Sequence, residues 1–155
     1  MVNLCSDVLS ALGSSGKTLA TAESLTGGGI GAALTAVPGA SSVYKGGIIS
    51  YTNQVKNQVL RVPMEILECH GAVSELVAKA MVSGVRKLLK ADVAVSVTGL
   101  AGPGGDEFGN SVGTVFIGYE DQNIATVVEC HFVGNRDDIR DQTVRTALEL
   151  ILKHL

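Results

Sequence analysis

The sequence predicts an α/β fold in which a mixed sheet is sandwiched between helices. Two observations carry that prediction. Stretches with apolar residues at helical spacing mostly alternate with short apolar runs of strand character. The last two of those runs are joined by a tight turn, Asp121-Gln122-Asn123, and so form a hairpin instead of another crossover. With 155 residues and 46% hydrophobic content, the chain is long and apolar enough for one domain, residues 1–155, around a real core.

Leu4, Val8, Leu9 and Leu12 place a first helix over residues 2–12, stopped by Gly13-Ser14-Ser15-Gly16. Thr18 to Ala22 is a short strand. Ser24 to Val37 reads as a helix that opens on glycines and ends at Pro38-Gly39. Gly47 to Thr52 is expected as a second strand and Asn53 to Leu60 as a short helix. Ser74-Glu75 opens an amphipathic helix with Leu76, Val77, Ala80, Met81, Val85 and Leu88 on its apolar positions. Asp92 to Val97 is the most apolar strand, and Val112 to Tyr119 and Ala125 to Val133 are the hairpin strands. Asn135 caps a last helix to about Leu155, with Asp137 and Asp138 in its first turn, where the helix dipole favours acids.

Composition excludes several functions. The net charge is −3, so no basic field exists to hold a nucleic-acid backbone or an anionic membrane. Aromatic residues make up 4% and Trp is absent, which leaves little for stacking bases. Cys5, Cys69 and Cys130 are an odd set without a C-x-x-C pair, which points to free thiols in a reducing compartment. No apolar run approaches the roughly 20 residues of a membrane span, and the N-terminus carries Asp7 and no basic leader. A cytoplasmic protein is expected. His70, His131 and His154 lack ligand-like spacing, so no metal is expected.

The most informative segment is Thr98-Gly99-Leu100-Ala101-Gly102-Pro103-Gly104-Gly105, which follows the strand Val93 to Val97 directly. A strand that runs into a glycine loop leaves amides free and lets a ligand approach the main chain, at the strand end where α/β folds place their ligands. Thr21 to Gly29 repeats the join, with Ser24 or Thr26 as a helix cap and amides at Gly27, Gly28 and Gly29 that could hold an anion. The alternative there is a plain cap with glycines for close packing. Gly13 to Thr18 resembles the tail of a P-loop, but Ala11 stands at the first glycine position and the order is helix then strand. Tyr51 and Lys56, five apart beside Ser41 and Ser42, suggest a serine hydrolase centre with lysine as base. Their spacing is not the Tyr-x3-Lys of short-chain dehydrogenases, and no dinucleotide fingerprint precedes them. Arg136 and Arg140 share a helical face and could clamp a phosphate or carboxylate, or simply pair with Asp137, Asp141 or Glu129.

Six motifs in order resemble the C-terminal domain of the CinA family, whose stand-alone PncC type is a nicotinamide-nucleotide amidase. They are Ala22-Glu23-Ser24-x-Thr26-Gly27-Gly28, Tyr51-x-Asn53-x-x-Lys56, His70 to Glu75, Thr98-Gly99-x-Ala101 to Gly105, Val112 to Val115, and Gly134-x-Arg136. The resemblance runs from about Leu4 to Leu152. It implies a three-layer α/β/α sandwich with a mixed, mostly parallel sheet of about five strands. It also implies cofactor-free hydrolysis of the carboxamide of nicotinamide mononucleotide to nicotinate mononucleotide and ammonia. By resemblance Ser41 stands at the nucleophile position, with Lys56 as base and Tyr51 beside it, while Ser42 and Ser24 are rival nucleophiles. The expected substrate-binding set is Ser24, Thr26, Gly27, Gly28, Thr98, Gly99, Ala101, Gly102, Arg136 and Arg140. A homo-oligomer is implied, since the family tends to self-associate. The chain departs from the family pattern at Leu25, where a cysteine is usual, and at Asn110-Ser111, where many members have Lys-Pro. Larger members carry an N-terminal molybdopterin-binding-like domain, which this sequence is expected to lack. The competing functional class is a nucleotide-binding or regulatory module with the same pocket and little or no turnover.

Overall fold

Two adjacent inner strands, each buried along almost its whole length, organise everything else. They are β1 (Leu19–Glu23) and β3 (Val93–Gly99), paired in parallel so that Leu19 lies beside Val93 and Glu23 beside Val97. A computed structural model describes residues 1–155. The remaining elements are α1 (Val2–Ser15), α2 (Gly29–Thr35), a 3-10 turn (Ala40–Ser42), β2 (Tyr44–Ile49), α3 (Asn53–Gln58), α4 (Met64–His70), α5 (Glu75–Leu89), β4 (Thr114–Glu120), β5 (Ala125–His131) and α6 (Arg136–His154). The sheet order is β2-β1-β3-β4-β5. Pairings β1·β2 and β1·β3 are parallel, and β3·β4 and β4·β5 antiparallel, an even split. Helices cover both faces, so the fold is a three-layer α/β/α sandwich.

The period-2 alternation of the central strands sorts their side chains between two cores. Leu19, Val93, Val95 and Val97 join α1, α2 and α6 in the larger cluster of 23 buried residues. Ala20, Ala22 and Ala94 face the smaller cluster, which holds Val77, Met81 and Val85 of α5. Small residues on this face let α5 lie close to the sheet. Ser96 shares the face, and its hydroxyl donates to the Ala78 carbonyl of α5 at 2.7 Å. No helix is long and apolar enough to cross a membrane.

Three local features differ from the sequence expectation, each for a physical reason. The second strand is Tyr44–Ile49 instead of Gly47 to Thr52, because Gly46 and Gly47 are pairing residues against Ala20 and Thr21. A Cβ at Gly47 would collide with the Thr21 hydroxyl, so glycine here is required by close approach, not by a strand start. The helix expected from Ser24 begins only at Gly29, since Gly27 and Gly28 take left-handed backbone at φ 58° and 98°. Neither Ser24 nor Thr26 caps it. The third difference is α4, a helix outside the elements expected from the sequence; it starts directly after Pro63 with Glu65 in its first turn. The expected cap of the last helix is present as a full capping box between Asn135 and Asp138.

Candidate active site

Because β1 and β2 run parallel, the residues that follow each of them arrive at the same end of the sheet. Ser24 is the first residue beyond β1, and its amide donates to the Val97 carbonyl at 3.1 Å, anchoring it against β3. Ser50 follows β2; its amide donates to the Glu23 carbonyl at 2.7 Å and its hydroxyl to the same oxygen at 3.3 Å. The chain then turns into α3, whose cap Thr52 accepts the Val55 amide at 3.3 Å. Lys56 stands on this helix. Its own carbonyl accepts the Val62 amide at 3.1 Å, and Asn57 Nδ2 donates to the Val62 carbonyl at 2.9 Å, so the turn after α3 is tied back to the lysine.

The Lys56 side chain is 1% exposed. Its Nζ donates to the Ser50 carbonyl at 2.6 Å and to Ser24 Oγ at 3.0 Å. No carboxylate pairs with it; the ion pairs of the molecule are Arg86–Glu120, His131–Glu129 and Arg140–Asp137. Burial without a counter-charge disfavours the ammonium form and lowers the Lys56 pKa from 10.5 to about 8. A lysine so placed is neutral in about a tenth of molecules at pH 7 and in about half of them at pH 8. Its lone pair then faces a serine hydroxyl at hydrogen-bond distance, the arrangement that turns a weak nucleophile into a strong one.

Ser41 does not share this site, contrary to the expectation that it is the nucleophile beside Lys56. It lies in the 3-10 turn that precedes β2, whereas Lys56 follows β2. The six residues of β2 separate the two ends by roughly 20 Å. Ser42 is excluded in the same way, and its hydroxyl donates to Gly39 O at 2.8 Å. Tyr51 is close in sequence but points outward, 60% exposed. Its hydroxyl accepts from Arg136 at 3.2 Å, and the same guanidinium donates to the Gly102 carbonyl at 2.6 Å. Tyr51, Gly102 and Arg136 therefore meet at the surface, one from each of three segments.

The other expected residues divide between site and scaffold. Arg140 donates to the Leu25 and Thr26 carbonyls at 3.1 and 3.2 Å, so it holds the serine loop instead of standing free for a ligand. With those carbonyls turned to Arg140, the Leu25, Thr26 and Gly28 amides donate to no group of the protein. Thr26 gives its hydroxyl to Glu23 Oε1 at 2.6 Å, while the Gly27 amide closes a turn onto Ser24 O at 3.1 Å. Thr98 is buried and spends its hydroxyl on the Ala72 carbonyl at 2.7 Å. Gly99 is a packing position: a Cβ there would lie 2.6 Å from Val115 Cγ2. Ala101 is also buried, at the start of the glycine loop.

Asn110, one of the departures noted in sequence, proves to be the staple of the glycine loop. Its Nδ2 donates to the Val73 carbonyl at 3.0 Å and to Asp106 Oδ2 at 2.8 Å. Asp106 Oδ1 in turn accepts the Phe108 and Asn110 amides at 3.0 and 2.9 Å. Burial alone would raise the Asp106 pKa, but these donors together hold it below the usual value. The loop borders a cleft of about 690 Å³ between Asn53, Ala72 and Phe108. A second cleft of about 360 Å³ lies between Gly102, Val112 and Arg136. The larger has the size usual for small-molecule sites, and neither Ser24 nor Lys56 lines either cleft.

A model of the CinA C-terminal domain matches residues 2–155. The chain belongs to the CinA C-terminal domain family. A CinA-like protein of Parasynechococcus marenigrum is 46% identical over 155 residues, covering 99% of this chain and 37% of that protein. One from Thermotoga neapolitana is 45% identical over 139 residues, covering 90% of this chain and 34% of its own length. The chain thus spans about a third of the length of these CinA relatives. Among solved structures, a CinA superfamily protein from Escherichia coli superposes with TM-score 0.97 at 35% identity, over 99% of this chain and 90% of its own. A competence/damage inducible protein from Agrobacterium tumefaciens gives 0.94 at 38% identity, over 97% of this chain and 93% of its own. The Ser24–Lys56 pair therefore sits in a CinA domain whose fold is shared along nearly its whole length.

Proposed function

We propose that this CinA-family chain is an amidohydrolase that converts nicotinamide mononucleotide to nicotinate mononucleotide and ammonia, with Ser24 as nucleophile and Lys56 as base. The observation that carries the reading is the buried lysine–serine hydrogen bond, unaccompanied by any carboxylate. Neutral Lys56 takes the Ser24 Oγ proton as the oxygen attacks the amide carbon. The C=O π electrons move to oxygen, and that oxyanion falls to the Leu25 and Thr26 amides, the donors immediately after the nucleophile. The lysine ammonium then gives its proton to the amide nitrogen as the C–N bond breaks, releasing ammonia and leaving an acyl-serine. Water, deprotonated by the again neutral Lys56, attacks the ester carbon, and the proton returns to Ser24 Oγ. The pyridinium ring withdraws electrons from the carboxamide and favours both additions. The exposed Arg136 would take the ribosyl phosphate, so that binding energy remote from the amide orients it.

Ammonia release from the nucleotide by wild type, Ser24→Ala, Lys56→Ala and Ser41→Ala protein tests the reading. Loss of at least about 10³-fold in turnover is expected for the first two variants, and wild-type turnover for the third. Wild-type turnover in Ser24→Ala would falsify it. Thermal stabilisation of wild-type protein by the nucleotide with no ammonia released would favour a binding module instead.

A further inference from the structure

We propose that Glu23 is the positioning residue of the Ser24–Lys56 pair: its main chain fixes the acceptor of the lysine, and its carboxylate fixes the loop that follows the serine. The inference rests on the reading of that pair as the reacting groups.

Glu23 ends β1 and is 2% exposed, yet no cation contacts its carboxylate. Its partners are all hydrogen-bond donors from the next turn of chain: Thr26 Oγ1 at 2.6 Å and the Ile30 amide at 2.9 Å on Oε1, and the Gly31 amide at 3.0 Å on Oε2. The Glu23 main-chain oxygen accepts both the amide and the hydroxyl of Ser50, whose own carbonyl holds Lys56 Nζ at 2.6 Å. One residue thus anchors both sides of the Ser24–Lys56 contact, with Ser24 bonded directly to it.

A buried carboxylate without a counter-ion is an expensive way to begin a helix of seven residues. A side-chain hydroxyl at the cap would do that at lower cost. What the carboxylate adds is geometry: two oxygens fixed against three donors lock the turn from Ser24 to Gly31. Glutamine can supply the Oε1 contacts but sets its NH2 against the Gly31 amide, donor against donor. Aspartate keeps the charge and is one methylene too short.

The test uses Glu23→Asp, Glu23→Gln and Thr26→Val, with the Lys56 side-chain resonance followed by NMR titration and assigned by Lys56→Met. Positioning predicts that in Glu23→Asp water reaches Nζ and Lys56 titrates well above about 8, toward 10.5. Turnover should fall about 10²-fold with KM within about twofold. Thr26→Val should move both quantities in the same direction by less, and it decides the matter if the Glu23 variants do not fold. A folded variant that lowers only the melting temperature, with Lys56 still titrating near 8, overturns the proposal. The titration needs no substrate. Wild-type ammonia release by Ser24→Ala would therefore remove Ser24 as the nucleophile while the lysine signal still decides what Glu23 does.

Discussion

Lys56 Nζ and Ser24 Oγ face each other at 3.0 Å inside the protein, and the second acceptor of the amine is a main-chain carbonyl instead of a carboxylate. An acid in that place would hold the lysine protonated. Its absence from the contact leaves burial as the dominant influence and brings the amine to about 8. The first prediction follows from that value. Only the neutral amine can accept the serine proton, so kcat/KM for deamidation should rise about tenfold per pH unit on the acid side and level off above about 8. Initial rates of ammonia release from pH 6 to 10 measure it; a flat profile across that range contradicts lysine as the base.

The same burial has a signature in stability. The unfolded lysine titrates near 10.5 and the folded one near 8, so between those values the unfolded chain binds more protons and stability rises with pH. Below about 8 the buried ammonium costs the fold about 3 kcal/mol relative to pH above 10.5. Lys56→Met removes that cost and leaves Ser50 O and Ser24 Oγ short of a donor. It should therefore be inactive yet more stable than wild type by about 1–2 kcal/mol at pH 7. The gain should shrink as pH passes through 8 to 10. Urea denaturation of both proteins at pH 7 and pH 10 reads the difference, and equal stability of the two at pH 7 and pH 10 alike contradicts it.

The strand-to-glycine joins at residues 21–29 and 98–105 were legible in the sequence, because apolar runs that end in glycines need no tertiary information to be seen. So was the Tyr51 to Lys56 segment. Which serine meets Lys56 was not legible from spacing. Ser41 is nearer in sequence than Ser24, and proximity along the chain is a poor guide in a parallel sheet. With β1 and β2 parallel, a residue just after β1 lies beside residues just after β2, and a residue just before β2 lies at the far end. The parallel pairing thus decides between Ser24 and Ser41, and a crossover from one strand to the next through a helix is the signal that could have revealed it. Glu23 was legible only as part of a motif. Its donors Ile30 and Gly31 come into range because the chain turns at Gly27 and Gly28, a turn that local helix periodicity from Ser24 onward does not disclose.

Arg136 holds Tyr51 and Gly102 from the first turn of α6, in contacts open to solvent. Exposed contacts of this kind add little to stability, so Arg136→Ala should change unfolding free energy by less than about 1 kcal/mol. Its charge is exposed, and under the proposed function the phosphate of the substrate would lie against it. KM for the nucleotide should rise about tenfold or more while kcat changes little, and the ribonucleoside, which lacks the phosphate, should show no such rise. An equal fall in kcat for both substrates would mean that Arg136 acts on loop geometry instead of on the phosphate.

Asn110 offers a test of how the glycine loop is held. The side chain joins Val73, at the foot of α5, to Asp106 in the loop. Asn110→Ala removes both bonds and leaves the partly buried Val73 carbonyl and Asp106 Oδ2 without those donors, at an expected cost of about 1–3 kcal/mol. Amide exchange should accelerate across residues 100–113 and remain unchanged in α5, since the side chain anchors the loop to the helix and not the reverse. The cost should also depend on pH. The Asp106 carboxyl is held below its ordinary 3.8 by donors that include Asn110, so its contribution is present above that value and lost as pH falls through the folded one. The stability gap between wild type and Asn110→Ala should accordingly be widest above pH 5 and narrow toward pH 3. A gap that stays constant down to pH 3 would show that the Asn110 bond to Asp106 does not favour the ionised carboxylate.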